Sequence, residues 1–429
     1  MQIFKIHGPT PLNGRVSVQG SKNAVLPMMA AAVINKNVTV IEGCPDISDV
    51  HDAMEILRVV GCRAEYSSGK LTIDSSHDIN PYIPEHIMNR IRASFIFTGA
   101  LLARCRGFRV SQPGGCNIGL RPIDIHMEAL SQLGAKAEYT GKEIICKADK
   151  LHCCDINMRF PSVGATENIM IMASAIRGAT RIINAAREPE IVDLGNMLSV
   201  MGAHIYGAGS PVIVIEGTDN LGAVNYSVMP DRIDTATYLS AVCTAGGRLN
   251  IENADAVHVS SFINILRRCG ADIDITPNGI IVEKNKRLSG GHTVITSPYP
   301  GFATDMQSLI MTVFSLTDGV SVIKENIFEN RFCLSGALGD MGADIRIYGR
   351  SASIRGVRSL KSVHAPVCDL RSGAALAIAM MGAEGVSYLT GIRYIDRGYE
   401  HFEDKYNRVG AHIERIDTED AKIRKEFSS

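Results

Sequence analysis

A lone thiol stands between a glycine pair and a downstream guanidinium in the stretch SQPGGCNIGLRPID, residues 111–124. Most cysteines are small hydrophobes of the core. Cys116 differs: a Gly-flanked loop with Arg121 five positions on is the electropositive, accessible setting that lowers a thiol's pKa and makes it reactive. The other ten of the eleven cysteines lack such a context and form no CxxC pair and no Cys/His cluster at ligand spacing. They read as filler in a reducing compartment, with neither a disulfide framework nor a metal.

A second chemical signal is a recurring cation at the start of apolar, helix-patterned stretches. Lys22 precedes Asn23, Arg92 precedes Ser94, Arg232 lies between Asp231 and Asp234, and Arg371 follows Asp369; Ser162 with Thr166, and Thr304 with Asp305, occupy the same place elsewhere. Asp, Ser and Thr at such positions cap helices, the role expected of Thr166, Ser94 and Asp234. A cation there is unfavourable by a few tenths to ~1 kcal/mol, so it asks for an anion. Helix N-termini with a cation alongside are anion sites. Loops add Arg121, Arg331 in FENRF and Arg397 in IDRGYE. For any one of these cations a surface ion pair is the ordinary explanation; recurrence at equivalent positions weakens it.

The elements that must position these residues form a repeat. EILRVVGCRAEY, EALSQLGAKAEY, NMLSVMGAHIYG, NILRRCGADIDI, GALGDMGADIRI and DKYNRVGAHIER place glycines at 61, 134, 202, 270, 342 and 410, a period of 68–73 residues. A fixed period marks a repeated supersecondary unit. Each copy opens with a stretch such as SKNAVLPMMAAAVI or RSGAALAIAMMGA, apolar around most of its circumference and so predicted to be a helix buried under sheets. A short β-rich run such as NVTVIEG follows. A second helix then ends at the glycine and leads into a half-buried strand. Solenoid repeats are shorter, about 20–50 residues, so the six units predict two α/β domains of three units each. The midpoint near NYSVMPDRID gives one domain over 21–229, a second made of 1–20 plus 230–419, and a charged tail at 420–429. The opening residues, ending GRVSVQG, are expected to supply the strand that the sixth unit lacks.

Lysine and arginine total 44 against 45 acidic residues, with neither sign in blocks; no basic field for nucleic acid exists. MQIFKIHGPTPLNG lacks the regions of a signal peptide, and no run reaches the ~18 apolar residues of a membrane span. A cytoplasmic protein without a membrane partner is expected. GRVSVQGSK has five residues between its glycines, one too many for a P-loop, and GGCNIG is no dinucleotide fingerprint. Neither an ATPase nor a Rossmann enzyme is supported.

SKNAVLPMMAAA, RASF, QPGGCNIGLRPIDIH, PSVGATENIM, NAAREPEIVD, VMPDRIDT, YPGFATDMQ, IFENRF and IDRGYEHFEDK, spread over residues 8–418, together resemble the UDP-N-acetylglucosamine 1-carboxyvinyltransferases, enolpyruvyl transferases of the EPSP synthase superfamily. The resemblance implies a two-domain inside-out α/β barrel of six βαβαββ-like repeats, three per domain, with the active site between the domains. It implies transfer of the enolpyruvyl group of phosphoenolpyruvate to the sugar 3′-hydroxyl of UDP-N-acetylglucosamine, releasing phosphate, as the first committed step of peptidoglycan synthesis. Both substrates are anions, which fits the helix-end cations. By position, the resemblance assigns Lys22, Arg121 and Arg397 to phosphoenolpyruvate, with Arg92 and Arg331 in support. Asn23 and Asp305 fall to the sugar, with Asp305 as general base, and Thr304 and Arg371 are counted among the substrate-binding residues. Pro122, Ile123, Asp124 and Ile125 fall to the uridine pocket, Ser162, Val163 and Gly164 to the diphosphate, and Ile327 to the nucleotide sugar. Cys116 is implied as the acid toward the methylene carbon, or as the thiol that forms a covalent adduct, on a loop that closes as a lid. Cys116, Asp305, Lys22 and Arg397 form the implied catalytic set, with no metal and no organic cofactor. Phe160 stands where some members carry lysine.

Two other functions are to be weighed. The shikimate-pathway relative uses the same fold, but its pattern lacks the Gly-Gly-Cys loop. A silent paralogue that only binds the nucleotide sugar has no use for Cys116 and Asp305.

Overall fold

The computed structural model describes residues 2–111 and 123–417. They form six four-stranded sheets, each with the same order of pairing. The first strand runs parallel to the second, and the second and third each pair antiparallel with the next. In the sheet made of Tyr82–Ile83, Gly107–Ser111, Glu143–Lys147 and Lys136–Tyr139, Tyr82 lies parallel opposite Arg109, while Cys146 faces Phe108 on one side and Ala137 on the other. The repeat read from the sequence is therefore a repeat of structure.

The described chain divides into two compact units, one of residues 20–111 and 123–229, the other of residues 2–19 and 230–417. In the first, the helices Lys22–Ala31, Phe97–Cys105 and Val163–Ser174 pack on one another. In the second, Arg232–Ala245, Gln307–Phe314 and Leu370–Met381 do the same. Each is buried on nearly every face and mostly apolar, and Leu370–Met381 is buried continuously from Arg371 to Met381. Such a helix has no face for water and must occupy a unit's interior. The sheets supply the cover, with one face inward: along Val38–Glu42, Thr39 and Ile41 are buried. Gly99 shows how closely the inner helices approach. A Cβ there would stand 2.6 Å from the Asn168 carbonyl oxygen, so only glycine fits.

The six repeat glycines have φ between 94° and 116°. That left-handed conformation stops a helix and suits glycine, which is why the period survives in the sequence.

The N-terminus contributes two strands rather than the one expected. Gln2–Gly8 pairs with Gly385–Thr390 and His412–Asp417, completing the sixth unit. Leu12–Ser17, which runs into GRVSVQG, instead lies parallel to Gly247–Glu252 and completes the fourth. Val224–Ser227 runs parallel to Val38–Glu42 and completes the first.

Candidate active site

In the unit of residues 20–111 and 123–229, Lys22 opens its helix and is only 8% exposed, with Nζ 2.5 Å from Oδ2 of buried Asp49. An ammonium withdrawn from water at the positive end of a helix dipole needs a counter-charge. Asp49, in the first turn of Ser48–Val59, supplies it. Asn23 lies half-buried on the same turn as Lys22, and Arg92 opens the 3-10 turn Arg92–Ile96.

The described residues assigned to the uridine pocket and the diphosphate are neighbours. Ile123 precedes the helix Asp124–Gln132, where Ile125 N donates to Asp124 Oδ1 at 2.9 Å. Ser162 caps Val163–Ser174, its Oγ accepting from Ala165 N at 3.4 Å. A Cβ on Gly164 would lie 3.2 Å from Cε1 of His126, so the two helix starts touch. Asn168 fixes that contact. Its Nδ2 is 3.0 Å from His126 Nδ1 and 3.1 Å from both Phe95 O and Thr98 Oγ1, while its Oδ1 accepts from Gly99 N at 2.7 Å. Nothing in ATENIM marks Asn168 as a hub. Next to exposed Phe160, Arg159 pairs with Asp124 and lies 3.7 Å from Glu128. On the same inner helix, burial and then Glu190 and Glu188 push the Glu167 carboxyl well above the ordinary carboxylate range.

In the unit of residues 2–19 and 230–417, Asp305 lies in the 3-10 turn Thr304–Met306. Its Oδ1 accepts from two guanidiniums, Arg331 Nη2 at 2.7 Å and Arg371 Nε at 3.3 Å. Arg331 is 2% exposed, donates Nε to the Thr304 carbonyl at 3.3 Å, lies 5.6 Å from the Phe328 ring centre and has Asp369 at 3.8 Å. Asp369 closes a capping box: Oδ1 accepts from Arg371 N at 2.9 Å and Ser372 N at 3.2 Å, and its own N donates to Ser372 Oγ at 3.1 Å. Burial opposes the Asp369 charge, but Arg331, then the Cys333 thiol and Ser372, hold the carboxyl below its ordinary range. Burial likewise opposes the Arg371 charge, and Asp305, then Tyr399 and Asp231, more than restore it.

Thr304 and Ile327 meet at Glu325, a carboxylate 1% exposed that the sequence reading missed. It accepts from Thr304 Oγ1 at 3.0 Å, Ile327 N at 2.8 Å, Phe328 N at 3.2 Å and Thr296 Oγ1 at 2.8 Å. The segment leading to Arg331 is wound around that one group. Arg397, half-buried, follows the short helix Arg393–Asp396. A Cβ on the next residue, Gly398, would stand 2.7 Å from Leu370 Cδ2, so the Arg397 segment lies against the helix start that carries Arg371.

Two expectations need correction. Two caps sit about a turn earlier than assigned, at Ser162 rather than Thr166 and at Asp231 rather than Asp234, and the turn that holds Ser94 has no side-chain cap. Thr166 Oγ1 instead donates to the Ser162 carbonyl at 2.8 Å, Ser94 Oγ to the Met88 carbonyl at 2.8 Å, and Asp234 accepts from Gln19 N at 3.2 Å. The helix-end cations Lys22 and Arg371 are not left to a ligand alone, because Asp49 and Asp305 of the chain itself pair with them. Asp305 is 66 residues from Arg371, a separation that sequence pattern does not bridge. Cys116, Arg121 and Pro122 lie outside the described residues. Of the other cysteines, burial pushes the Cys62 and Cys243 thiols up to about 12 and those of Cys146 and Cys269 to about 11, the inert state of a core thiol.

The sequence pattern of the family described as EPSP synthase (3-phosphoshikimate 1-carboxyvinyltransferase) matches residues 6–406. The chain belongs to the EPSP synthase family. It is a transferase of the enolpyruvyl type. Within the family it is 43% identical to UDP-N-acetylglucosamine 1-carboxyvinyltransferase 2 of Caldanaerobacter subterraneus, over 97% of this chain and 100% of that protein. It is 40% identical to UDP-N-acetylglucosamine 1-carboxyvinyltransferase of Thermotoga maritima, over 96% and 99% respectively. The enolpyruvyl transferase NikO of Streptomyces tendae shares the fold, with a TM-score of 0.87 at 22% identity over 97% of this chain and 99% of that one. EPSP synthase of Acinetobacter baumannii shares it at 0.76 and 18%, over 97% and 100%. The EPSP synthase family thus accounts for the inside-out α/β architecture, six repeats in two sets of three.

Proposed function

We propose that the chain transfers the enolpyruvyl group of phosphoenolpyruvate to the 3′-hydroxyl of UDP-N-acetylglucosamine and releases phosphate, as the cytoplasmic first committed step of peptidoglycan synthesis. One observation carries the choice of acceptor. Two relatives named for UDP-N-acetylglucosamine are 40% and 43% identical over nearly the whole chain, whereas two structures of EPSP synthase from Acinetobacter baumannii are 17% and 18% identical.

In this reading the sugar oxygen adds to C2 of phosphoenolpyruvate while Cys116 protonates C3, giving a tetrahedral adduct. Loss of a C3 proton and cleavage of the C2–O bond to phosphate then re-form the double bond. Lys22, Arg121 and Arg397 hold the phosphate and carboxylate, supported by Arg92, Arg331 and Arg371. Asp305 takes the hydroxyl proton, with Arg331 and Arg371 on its Oδ1 fixing the carboxylate plane. Such pre-set geometry lowers the entropy cost of the step. Asn23 and Thr304 orient the sugar, and Ile327 lies with it. Ile123, Asp124 and Ile125 beside Ser162, Val163 and Gly164 hold the nucleotide, which suits the contact Asn168 enforces, and Pro122 belongs to the same pocket.

The test is phosphate release with UDP-N-acetylglucosamine and, separately, shikimate 3-phosphate as acceptor. Turnover with the first alone is expected, and prior alkylation of the thiol should abolish it. Turnover with shikimate 3-phosphate alone would reject the assigned acceptor, and none with either would favour a silent binder.

A further inference from the structure

We infer that Gln19 is a positioning residue for Arg397, which it serves by clamping the backbone just beyond that arginine with both ends of its side-chain amide. The inference rests on the reading of Arg397 as a ligand of phosphoenolpyruvate.

Gln19 is 6% exposed. Its Nε2 donates to the Gly398 carbonyl at 2.9 Å, and its Oε1 accepts from Glu400 N at 2.9 Å and from Lys405 Nζ at 3.5 Å. Gly398 and Glu400 flank Tyr399, so the amide engages this backbone at two points, as a neighbouring strand would. Two contacts fix the rotation of the segment as well as its distance, which one contact cannot do. Gln19 is itself anchored through its main chain: its N donates to Asp234 Oδ2 at 3.2 Å and its carbonyl accepts from Asp231 N at 2.9 Å. Asp231 caps Arg232–Ala245. Gln19 therefore ties the start of one inner helix to the segment that carries Arg397.

The rest of that segment is pinned in the same way. Tyr399 Oη lies 2.8 Å from Thr237 Oγ1 of the same inner helix, Glu400 pairs with Lys405 at 3.0 Å, and Gly398 abuts Leu370. A methionine would fill the space of Gln19, but its thioether has no donor for the Gly398 carbonyl and is only a weak acceptor for Glu400 N. A buried amide is also costly unless both ends are satisfied, and here both are.

The test compares Gln19→Met, Arg397→Lys and the double variant in the full-length enzyme, using phosphate release and thermal unfolding. Gln19→Met is expected to raise KM for phosphoenolpyruvate about tenfold, as loss of two buried hydrogen bonds allows, with KM for UDP-N-acetylglucosamine unchanged. Gln19→Glu keeps an acceptor for Glu400 N and Lys405 but sets a carboxylate oxygen against the Gly398 carbonyl, exchanging that bond for repulsion. A selective rise in KM for phosphoenolpyruvate is expected here too, so the test stands if the methionine variant does not fold. In the double variant Gln19→Met should add little to Arg397→Lys, since both act on one contact. Lower stability with the two KM values keeping their ratio, or full multiplicativity in the double variant, overturns the inference. If Arg397→Lys leaves KM for phosphoenolpyruvate unchanged, the assignment of Arg397 itself fails and the inference falls with it.

Discussion

Replacing Asn168 by alanine probes the link between core and site. Its amide has two N–H donors and one carbonyl, and four groups lie on it: Gly99 N, Phe95 O, Thr98 Oγ1 and His126 Nδ1. About three good hydrogen bonds can form at once, each worth about 1 kcal/mol. The substitution also leaves Gly99 N, in the interior, short of a partner. A loss of about 3 kcal/mol is expected, toward the upper range for single substitutions, read as a lower urea midpoint at unchanged slope. Because Asn168 also holds His126 beside Gly164, the variant should raise KM for UDP-N-acetylglucosamine more than KM for phosphoenolpyruvate. A loss below about 1 kcal/mol, or equal changes in the two KM values, would refute the reasoning.

Other substitutions test the remaining parts. Cys116→Ser replaces the acid by a far weaker one and should lower kcat by more than about a hundredfold in the phosphate assay; near-normal turnover contradicts that role. Asp49→Asn leaves the Lys22 ammonium buried without its counter-charge and should cost about 3 kcal/mol, measured by urea unfolding. Burial pushes the Asp234 carboxyl up to about 7, with Lys405 opposing and Asp231 and Glu400 assisting. The folded state then keeps a proton that the unfolded chain has released, so this group's contribution to stability falls as pH rises from the ordinary aspartate range through about 7. Asp234→Asn should therefore stabilise the protein relative to the parent at about pH 8 and much less at about pH 5; a Tm difference independent of pH contradicts the shift.

The fold was legible because its constraints are local. A glycine with φ near 100° must end each outer helix, and a buried helix must be apolar all round, so both leave a periodic mark. The second N-terminal strand escaped because Leu12–Ser17 finds its partner at Gly247–Glu252, and no local pattern announces a pairing over that separation. Of the candidate site, what residue type and motif bring out is Lys22, Asp305, Arg331, Arg371 and Arg397, charges on loops and helix starts. What sequence hid were the buried carboxylates and amides that tie the surrounding segments together. Asp49, Glu325, Asn168 and Gln19 are ordinary surface residue types, and only their burial and their distant partners reveal their work.

The central claim is that a carbon–oxygen bond forms between C2 of an enolpyruvyl group and the sugar 3′-oxygen. Proton NMR of the product from UDP-N-acetylglucosamine and phosphoenolpyruvate tests it directly. A pair of vinyl methylene signals, with the ring proton at carbon three correlated to the enol-ether carbon by long-range proton–carbon coupling and phosphate released in equal amount, is predicted. Sugar nucleotide recovered unchanged, or a vinyl ether at another hydroxyl, would contradict it.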